Sequence, residues 1–327
     1  MIITQTPLRI SFFGGGTDFK GYYRLNEGGA VLSTAIDKCI YVIIKKRFDD
    51  KIYLNYSRKE IIDRVEQIKH DLVREALRRT GIEKGVEITT LADVPSEGTG
   101  LGSSSSVTVG LLNTFYLYQA QSQPAGRLAE EACQIEIDIL KRPMGKQDQY
   151  AAAFGNLNLI KFNSDDTVNL QHLLVDEGIK RSLEANLMLI YTGITRKSGE
   201  ILSQQKENIK DRISVLNEIR DMVGEGKEYL LKGKLDEFGK LLHHGWELKK
   251  KLAERINNSR IEEIYQTALK EGALGGKISG AGGGGFLLLY CPFERQSRIR
   301  KALGNLRELS FRFEKEGTKA IFNVRES

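Results

Sequence analysis

Residues 95–106 place three glycines and four consecutive serines between a strand-like run and an apolar run that begins at Val107. Gly98, Gly100 and Gly102 let the backbone come close to an anion. The helix predicted after them offers unpaired N–H groups and about half a positive charge at its start. These features predict a phosphate-binding loop, and the alternative is a flexible Gly/Ser connector.

The composition is that of a globular chain. Its 327 residues are 40% hydrophobic, which is enough for a large core and for two domains. The net charge of +6 suits small anionic substrates. Basic runs at 45–47 and 249–251 have no interleaved aromatic residues on which bases could stack, so we expect both on solvated faces and expect no nucleic-acid partner.

The cysteines and the apolar runs predict a cytoplasmic location. Cys39, Cys133 and Cys291 are few, odd in number and widely spaced, which favours buried free thiols in a reducing compartment. The four histidines stand apart from cysteine and carboxylate clusters, so we interpret them as structural. We find no secretory leader and no run of 18 apolar residues, and therefore expect no membrane association.

Strand-like and helical patterns are mixed along the chain. The strand-like runs are 2–13, 39–46, 51–56, 86–91, 157–162, 187–191, 286–290 and 319–324. The helical patterns are 60–80, 103–118, 124–140 and a block at 198–271. This order predicts an α+β fold with two domains, residues 1–180 and 181–327.

Three glycine clusters follow one another in the chain: residues 7–18, 95–106 and 277–286. In the first of them, Arg9 sits within a strand and Asp18 closes the loop. An arginine can neutralise phosphate, and an aspartate can accept hydrogen bonds from sugar hydroxyls. The alternative is a surface salt bridge and a turn aspartate.

A third glycine cluster, residues 277–286, contains Gly280, Gly282 and Gly285 in the G-x-G-x-x-G spacing. A dinucleotide site needs this spacing between a strand and a following helix, whereas here a helix precedes and a strand follows. The sequence therefore argues against an NAD-dependent oxidoreductase. The bare backbone still allows close approach of a loop or a substrate, and a plain turn is the alternative.

Two acids stand out between Pro124 and residue 155. Glu136 shares an apolar helix stripe with Leu128, Ala132 and Ile139, and a buried carboxylate needs a metal or a basic side chain as partner. A structural ion pair is the alternative. Asp148 follows twelve residues later and places a second acid near the first.

This ordered set of motifs resembles the GHMP kinases, a family of small-molecule kinases that includes galactokinase, homoserine kinase and mevalonate kinase. Residues 7–18, 95–106 and 277–286 are similar to its first, second and third motifs. The spacing from Glu136 to Asp148 resembles that between galactokinase's metal-ligand glutamate and its catalytic aspartate. The resemblance implies a ribosomal-protein-S5-like N-terminal domain and a ferredoxin-like C-terminal domain.

The resemblance also implies roles for the motif residues, with ATP and Mg²⁺ as cofactors. Asp148 and Arg9 would be catalytic, and Ser104 and Glu136 would hold the metal. The ATP phosphates would be bound by Pro95, Gly98, Gly100, Leu101, Gly102, Ser103, Ser104, Ser105 and Ser106. The sugar would be bound by Gly15, Gly16, Thr17, Asp18, Arg196, Gly282, Gly283 and Gly284.

Within the family, Gly15 and Gly16 stand where galactokinases carry an acidic residue and a histidine. Together with residues 191–197 they most resemble the D-glycero-D-manno-heptose 7-phosphate kinases. The resemblance implies phosphorylation of the anomeric O1 hydroxyl to the 1,7-bisphosphate, for nucleotide-activated heptose and surface polysaccharide synthesis. Arg196 and Lys197 would hold the existing phosphate, or would simply begin an exposed helix.

Other functions stay open at this point. A GHMP kinase for a fucose-like or galactose-like sugar, or a non-catalytic sugar sensor on the same fold, would keep the three glycine loops. The expected partners are a sugar phosphate and ATP, and a homodimer is compatible with the resemblance.

Overall fold

The computed structural model describes residues 1–95, 98–195 and 198–324. Two β-sheets, each packed against helices, make up this part of the chain. The strands are β1 (Ile2–Phe13), β2 (Gly29–Lys46), β3 (Ile52–Asn55), β4 (Lys59–Ile62), β5 (Val86–Ala92), β6 (Leu157–Phe162), β7 (Val168–His172), β8 (Leu187–Tyr191), β9 (Gly275–Ile278), β10 (Phe286–Tyr290), β11 (Glu308–Leu309) and β12 (Lys319–Asn323). The α-helices are α1 (Lys20–Tyr23), α2 (Asp71–Thr80), α3 (Ser103–Tyr118), α4 (Ala125–Cys133), α5 (Gln147–Phe154), α6 (Glu177–Asn186), α7 (Ser198–Glu207), α8 (Ile213–Leu231), α9 (Leu235–Lys250), α10 (Ser259–Lys270) and α11 (Gln296–Ala302).

The first sheet has the order β12-β1-β2-β5-β3-β4. Strand β6 pairs with the first six residues of β2, Gly29 to Thr34, and β7 pairs with β6. Helices α3 and α5 pack against β1 and β2. The second sheet has the order β11-β8-β10-β9, and α9 packs on β9. The glycine cluster before β10 therefore follows a strand and joins two neighbouring antiparallel strands.

The two sheets do not divide the chain at a single point. Strand β12 pairs with β1, with Ile2 opposite Asn323, and so belongs to the first sheet. The sequence-based division placed these residues in the second domain. A strand pattern records which face is buried but not which neighbour supplies the hydrogen bonds, and β12 covers an edge that would otherwise be unpaired.

The helix predicted over residues 60–80 was wrong in its first half. Lys59–Ile62 forms β4, which pairs with β3, and α2 begins only at Asp71. Strand pairing overrode a helix-like spacing of apolar residues. Strand β2 begins ten residues before its predicted start, because buried hydroxyls such as Ser33 and Thr34 hide the apolar pattern there.

One continuous hydrophobic core links the two sheets within the described ranges. The ring of Phe238 on α9 meets Phe12 and Phe13 at the end of β1, at centroid distances of 5.2 and 5.0 Å. This contact fixes the end of β1 against the second half of the chain. The three cysteines are buried and free, as predicted. None of the helices in the described ranges combines the length and the apolar character needed to span a membrane.

Candidate active site

Arg9 on β1 and Asp148 in the first turn of α5 form a two-pronged ion pair. The Nε and Nη2 atoms of Arg9 each donate to one carboxylate oxygen of Asp148 at 2.7 Å. The Nη1 atom donates to the carbonyl oxygen of Gly100 at 2.6 Å. The two side chains are 4% and 14% exposed, so the pair is held rigidly at the edge of a cavity.

The serine-rich segment leads directly into α3, and Gly102 precedes that helix with a φ of +82°. Within the first turn of α3, the hydroxyl of Ser104 donates to Oε1 of Glu136. The amide of Gln149 donates to Oε2 of the same carboxylate at 2.8 Å. Glu136 is fully buried behind the serine segment, and this burial raises the pKa of its carboxyl group, opposed by the hydrogen bond from Ser104 and the charge of Arg142.

Arg142 supplies the positive charge beside Glu136. Its Nη1 atom lies 2.7 Å from the Ser104 hydroxyl and 3.4 Å from Oε1 of Glu136. Its Nη2 atom donates to both oxygens of Asp71 at 3.0 Å. The sequence had left a metal or a basic side chain open as the partner of Glu136, and the basic side chain is present.

The second and third glycine clusters touch each other through bare backbone. A Cβ atom on Gly100, which has a φ of +75°, would lie 2.3 Å from the carbonyl oxygen of Ser279. A Cβ on Gly280, with a φ of +63°, would lie 2.7 Å from the Cα of Gly100. Neither site can accept a side chain without moving a loop, so these glycines bring the two halves of the site together.

A cavity of about 330 Å³ opens between these loops. It is bordered by the ion pair, by both glycine loops and by the start of α3. Its lining includes Arg9, Gly98, Gly100, Gly102, Ser103, Ser104, Arg142, Asp148, Ser279, Gly280, Gly282 and Gly284.

A second, smaller cavity of about 70 Å³ adjoins the first at the ion pair and at Gly280 and Ala281. It shares Arg9 and Asp148 with the first cavity. Its own lining comes from the first glycine cluster, from the helices α5, α7 and α9 and from β9, and includes Ser11, Gly15, Gly16, Asp18, Gln147, Gln205, Lys249 and Lys277. The ion pair therefore stands at the junction of two cavities.

Asp18 is buried in the wall of the smaller cavity. Its carboxylate accepts backbone N–H bonds from Gly16 at 3.0 Å and from Gln147 at 3.2 Å. Burial, together with the negative charge of Asp148, raises the pKa of Asp18 to about 6. The carboxylate packs against Gly145, where a Cβ would lie 2.0 Å from Oδ2.

Several residues that the sequence assigned to the site do not line either cavity. Leu101 is buried, and its carbonyl oxygen accepts from the backbone N–H of Arg9 at 2.9 Å. Ser105 and Ser106 are buried in α3. The hydroxyl of Thr17 donates to the carbonyl oxygen of Gly14, and the backbone N–H of Gly283 donates to the carbonyl oxygen of Ile256. Pro95 borders a separate cavity. Arg196 and Lys197 lie outside the described residues.

The sequence interpretation missed two buried lysines. Lys249 was expected on a solvated face, but it is 7% exposed and its Nζ donates to the carbonyl oxygen of Ile278 at 3.0 Å. Lys277, also 7% exposed, donates to the carbonyl oxygen of Phe12 at 2.9 Å. The run at 249–251 spans one helix turn, so one of its residues faces inward, and the apolar periodicity of α9 was the signal that could have shown which one.

Family models match both halves of the chain. The model for the GHMP kinases N terminal domain matches residues 54–156, and the model described as GHMP kinases C terminal matches residues 227–308. A D-glycero-alpha-D-manno-heptose 7-phosphate kinase from Campylobacter jejuni is 32% identical over 98% of both chains. The chain belongs to the GHMP kinase family.

Two further proteins similar to this GHMP kinase carry the names of sugar kinases. A solved structure described as a D-glycero-D-manno-heptose 1-phosphate kinase from Bacteroides thetaiotaomicron superimposes with a TM-score of 0.83, at 27% identity and over 100% of both chains. An L-fucokinase/L-fucose-1-P guanylyltransferase from Bacteroides fragilis is 27% identical over 91% of this chain and 35% of the relative.

The family and the fold make this protein an ATP-dependent sugar kinase, a phosphotransferase with an alcohol group as acceptor. The predicted GHMP fold is confirmed.

Proposed function

We propose that this GHMP kinase transfers the γ-phosphate of ATP to the anomeric O1 hydroxyl of D-glycero-D-manno-heptose 7-phosphate. The observation that carries this proposal is the Arg9–Asp148 pair at the junction of two cavities, one bordered by the glycine loops and one by Asp18. The name of the Campylobacter relative supports the choice of sugar. The product would be the 1,7-bisphosphate.

Asp148 is the group that would accept the proton of the attacking hydroxyl. Arg9 holds both of its oxygens in a fixed orientation, and the hydroxyl can approach from the smaller cavity. The same guanidinium faces the larger cavity, where it would stabilise negative charge on the transferred group. One arginine would thus orient the base and meet the phosphoryl group.

The ATP phosphates fit the larger cavity. Its glycines let backbone N–H groups approach the phosphate oxygens, and the start of α3 adds its positive end. A separate cavity of about 780 Å³ adjoins it at Ser104 and Arg142 and extends past His70 to Pro95. This space would receive the nucleoside.

The donor set fits magnesium held jointly by protein and phosphates. Ser104 and Glu136 offer hard oxygen ligands, and Mg²⁺ is usually bound by one or two carboxylates with phosphates and waters completing its shell. No group of three or more His, Cys, Asp and Glu side chains within the described ranges is arranged to hold a metal alone. The ion would neutralise charge on the phosphates, and Arg142 would keep its contact with Asp71 while giving up the contact with Ser104.

Asp18 would hold the sugar. Its two backbone hydrogen bonds fix the carboxylate at the wall of the smaller cavity, so the remaining acceptor positions can receive sugar hydroxyls. Gly15 and Gly16 leave the neighbouring wall free of side chains.

The test is incubation with Mg-ATP and a panel of acceptors: heptose 7-phosphate, mannose, fucose, galactose and mevalonate. ADP release measures turnover, and phosphorus NMR identifies the new ester. A phosphomonoester with anomeric coupling for the heptose supports the proposal. Preferred transfer to fucose or galactose, or transfer to another position of the heptose, would overturn it. If no acceptor of the panel causes ADP release, a non-catalytic sugar sensor is favoured.

A further inference from the structure

Two lysines lie buried together at the smaller cavity, to which the acceptor is assigned above. Lys249 reaches it from α9 and Lys277 from β9, and both side chains line the smaller cavity and not the larger one. Their Nζ atoms donate to carbonyl oxygens of Ile278 and Phe12, and Lys249 also to Gly280. A lysine ammonium has three donors, so the two groups together keep free N–H bonds.

Neither lysine forms an ion pair with a carboxylate in the part of the chain that the structure describes. Of the two acids in this cavity, Asp148 is already neutralised by Arg9. Among the described residues, the carboxylate of Asp18 is therefore the one acid of this cavity left to balance the two lysines. Buried charges without partners are costly, and such sites in proteins usually serve a charged ligand.

The ionisation of the two lysines agrees with this shortage of negative charge. Burial and the neighbouring charge of Arg9 lower the pKa of Lys277 to about 7. Burial, together with the charges of Lys277 and Arg9, lowers the pKa of Lys249 well below its usual range. An anion bound between them would restore both charged forms.

The cavity has an open path to these lysines. A Cβ on Gly15 would meet no atom closer than 3.8 Å, and a separate void of about 10 Å³ that Gly15 also lines borders the same two lysines. The hydroxyl of Ser11, which lines the cavity, is buried and has no hydrogen-bond partner among the described residues. The path therefore offers two lysine side chains and a free hydroxyl to one ligand group.

We propose that Lys249 and Lys277 bind a phosphate monoester already carried by the acceptor, and so select phosphorylated sugars over neutral ones. This rests on the proposed sugar-kinase reaction and assigns its acceptor phosphate to named residues. The γ-phosphate of ATP is the other source of such chemistry, but neither lysine lines the larger cavity, to which the ATP phosphates are assigned.

The experiment compares kcat/KM for heptose 7-phosphate and for the unphosphorylated heptose in Lys249→Met and Lys277→Met. Loss of a charge-assisted contact should lower the ratio of the two values roughly 30-fold. Lys251→Met, an exposed position in the same basic run, is the matched control and should leave the ratio unchanged. An equal loss for both acceptors, or a rise confined to the KM for ATP, would overturn the assignment.

A binding measurement separates this inference from the proposed reaction. Titration calorimetry with heptose 7-phosphate and with inorganic phosphate needs no turnover, so it tests the lysines even if O1 transfer is absent. Gly15→Glu places a carboxylate in the path from a different element, so it does not depend on how the lysine variants fold. Weaker binding of both phosphate ligands in Lys277→Met and Gly15→Glu supports the site, whereas wild-type affinity in either folded variant refutes it.

Discussion

Arg9 and Asp148 are 139 residues apart in the chain, yet share two hydrogen bonds of 2.7 Å. The pair joins the first glycine-rich strand to the first turn of α5 and touches the second glycine cluster through Gly100. These two bonds fix the orientation of the Asp148 carboxylate, which lines both cavities. Geometry of this kind is how positioned groups lower a reaction barrier.

The first prediction concerns Asp148. Asp148→Asn should lower kcat roughly 100-fold or more, because the amide cannot accept the hydroxyl proton. An ADP-release assay at saturating ATP and sugar measures the effect. Asp50→Asn, which removes an exposed partner of Lys84, should retain wild-type kcat. A kcat near wild type in Asp148→Asn would remove Asp148 from the role of base.

The second prediction concerns Glu136. Glu136→Gln should weaken the apparent affinity for Mg²⁺ roughly tenfold or more, because a neutral amide is a poorer ligand for a hard cation. The measurement is initial rate against free Mg²⁺ at fixed ATP. Glu131→Gln is the control, since this buried acid on α4 is bound by Tyr116 and Arg127. If Glu136 serves only the ion pair with Arg142, the Mg²⁺ dependence will be unchanged and only stability will fall.

The third prediction tests the contact between the glycine loops. Gly100→Ala and Gly81→Ala both place a Cβ at positive φ, but only the first meets backbone, since nothing lies within 4 Å of a Cβ on Gly81. The free energy of unfolding should fall by about 2 kcal/mol more for Gly100→Ala than for Gly81→Ala, because only it forces the loops apart. Urea denaturation of both variants measures the difference. Equal losses would mean that the close approach adds nothing to stability.

The fourth prediction concerns Lys277 and pH. Its pKa falls from 10.5 to about 7 on folding, so between these values the unfolded chain holds a proton that the folded chain lacks. The contribution of this lysine to stability therefore rises with pH from about 7 to 10.5. Lys277→Met should be more stable than wild type near pH 7, with the difference shrinking toward pH 10. A difference in unfolding free energy that is independent of pH would contradict the buried charge.

Much of the site could be predicted from local sequence. Glycines between a strand and a helix permit backbone conformations that other residues avoid, so the sequence correctly predicted a loop at Gly100 and Gly102 before α3. The apolar stripe correctly placed Glu136 inside the protein, because side-chain direction follows helical periodicity. The same stripe was wrong for Ile139, which is exposed, because α4 ends at Cys133 and a π-helical segment, Gln134–Ile139, follows it. The ordered motifs also identified the family and its fold.

Only the tertiary structure decided which of these groups meet. In the sequence Lys249 is one of three lysines in a basic run. The packing of α9 on β9 buries it and places its Nζ atom at the carbonyl oxygen of Ile278. Strand β12 joined the first sheet although it is the last strand of the chain. Local sequence sets backbone conformation and the buried face of each element, whereas partners are chosen by long-range packing, and that choice is what places Lys249, Lys277 and Asp18 around one cavity.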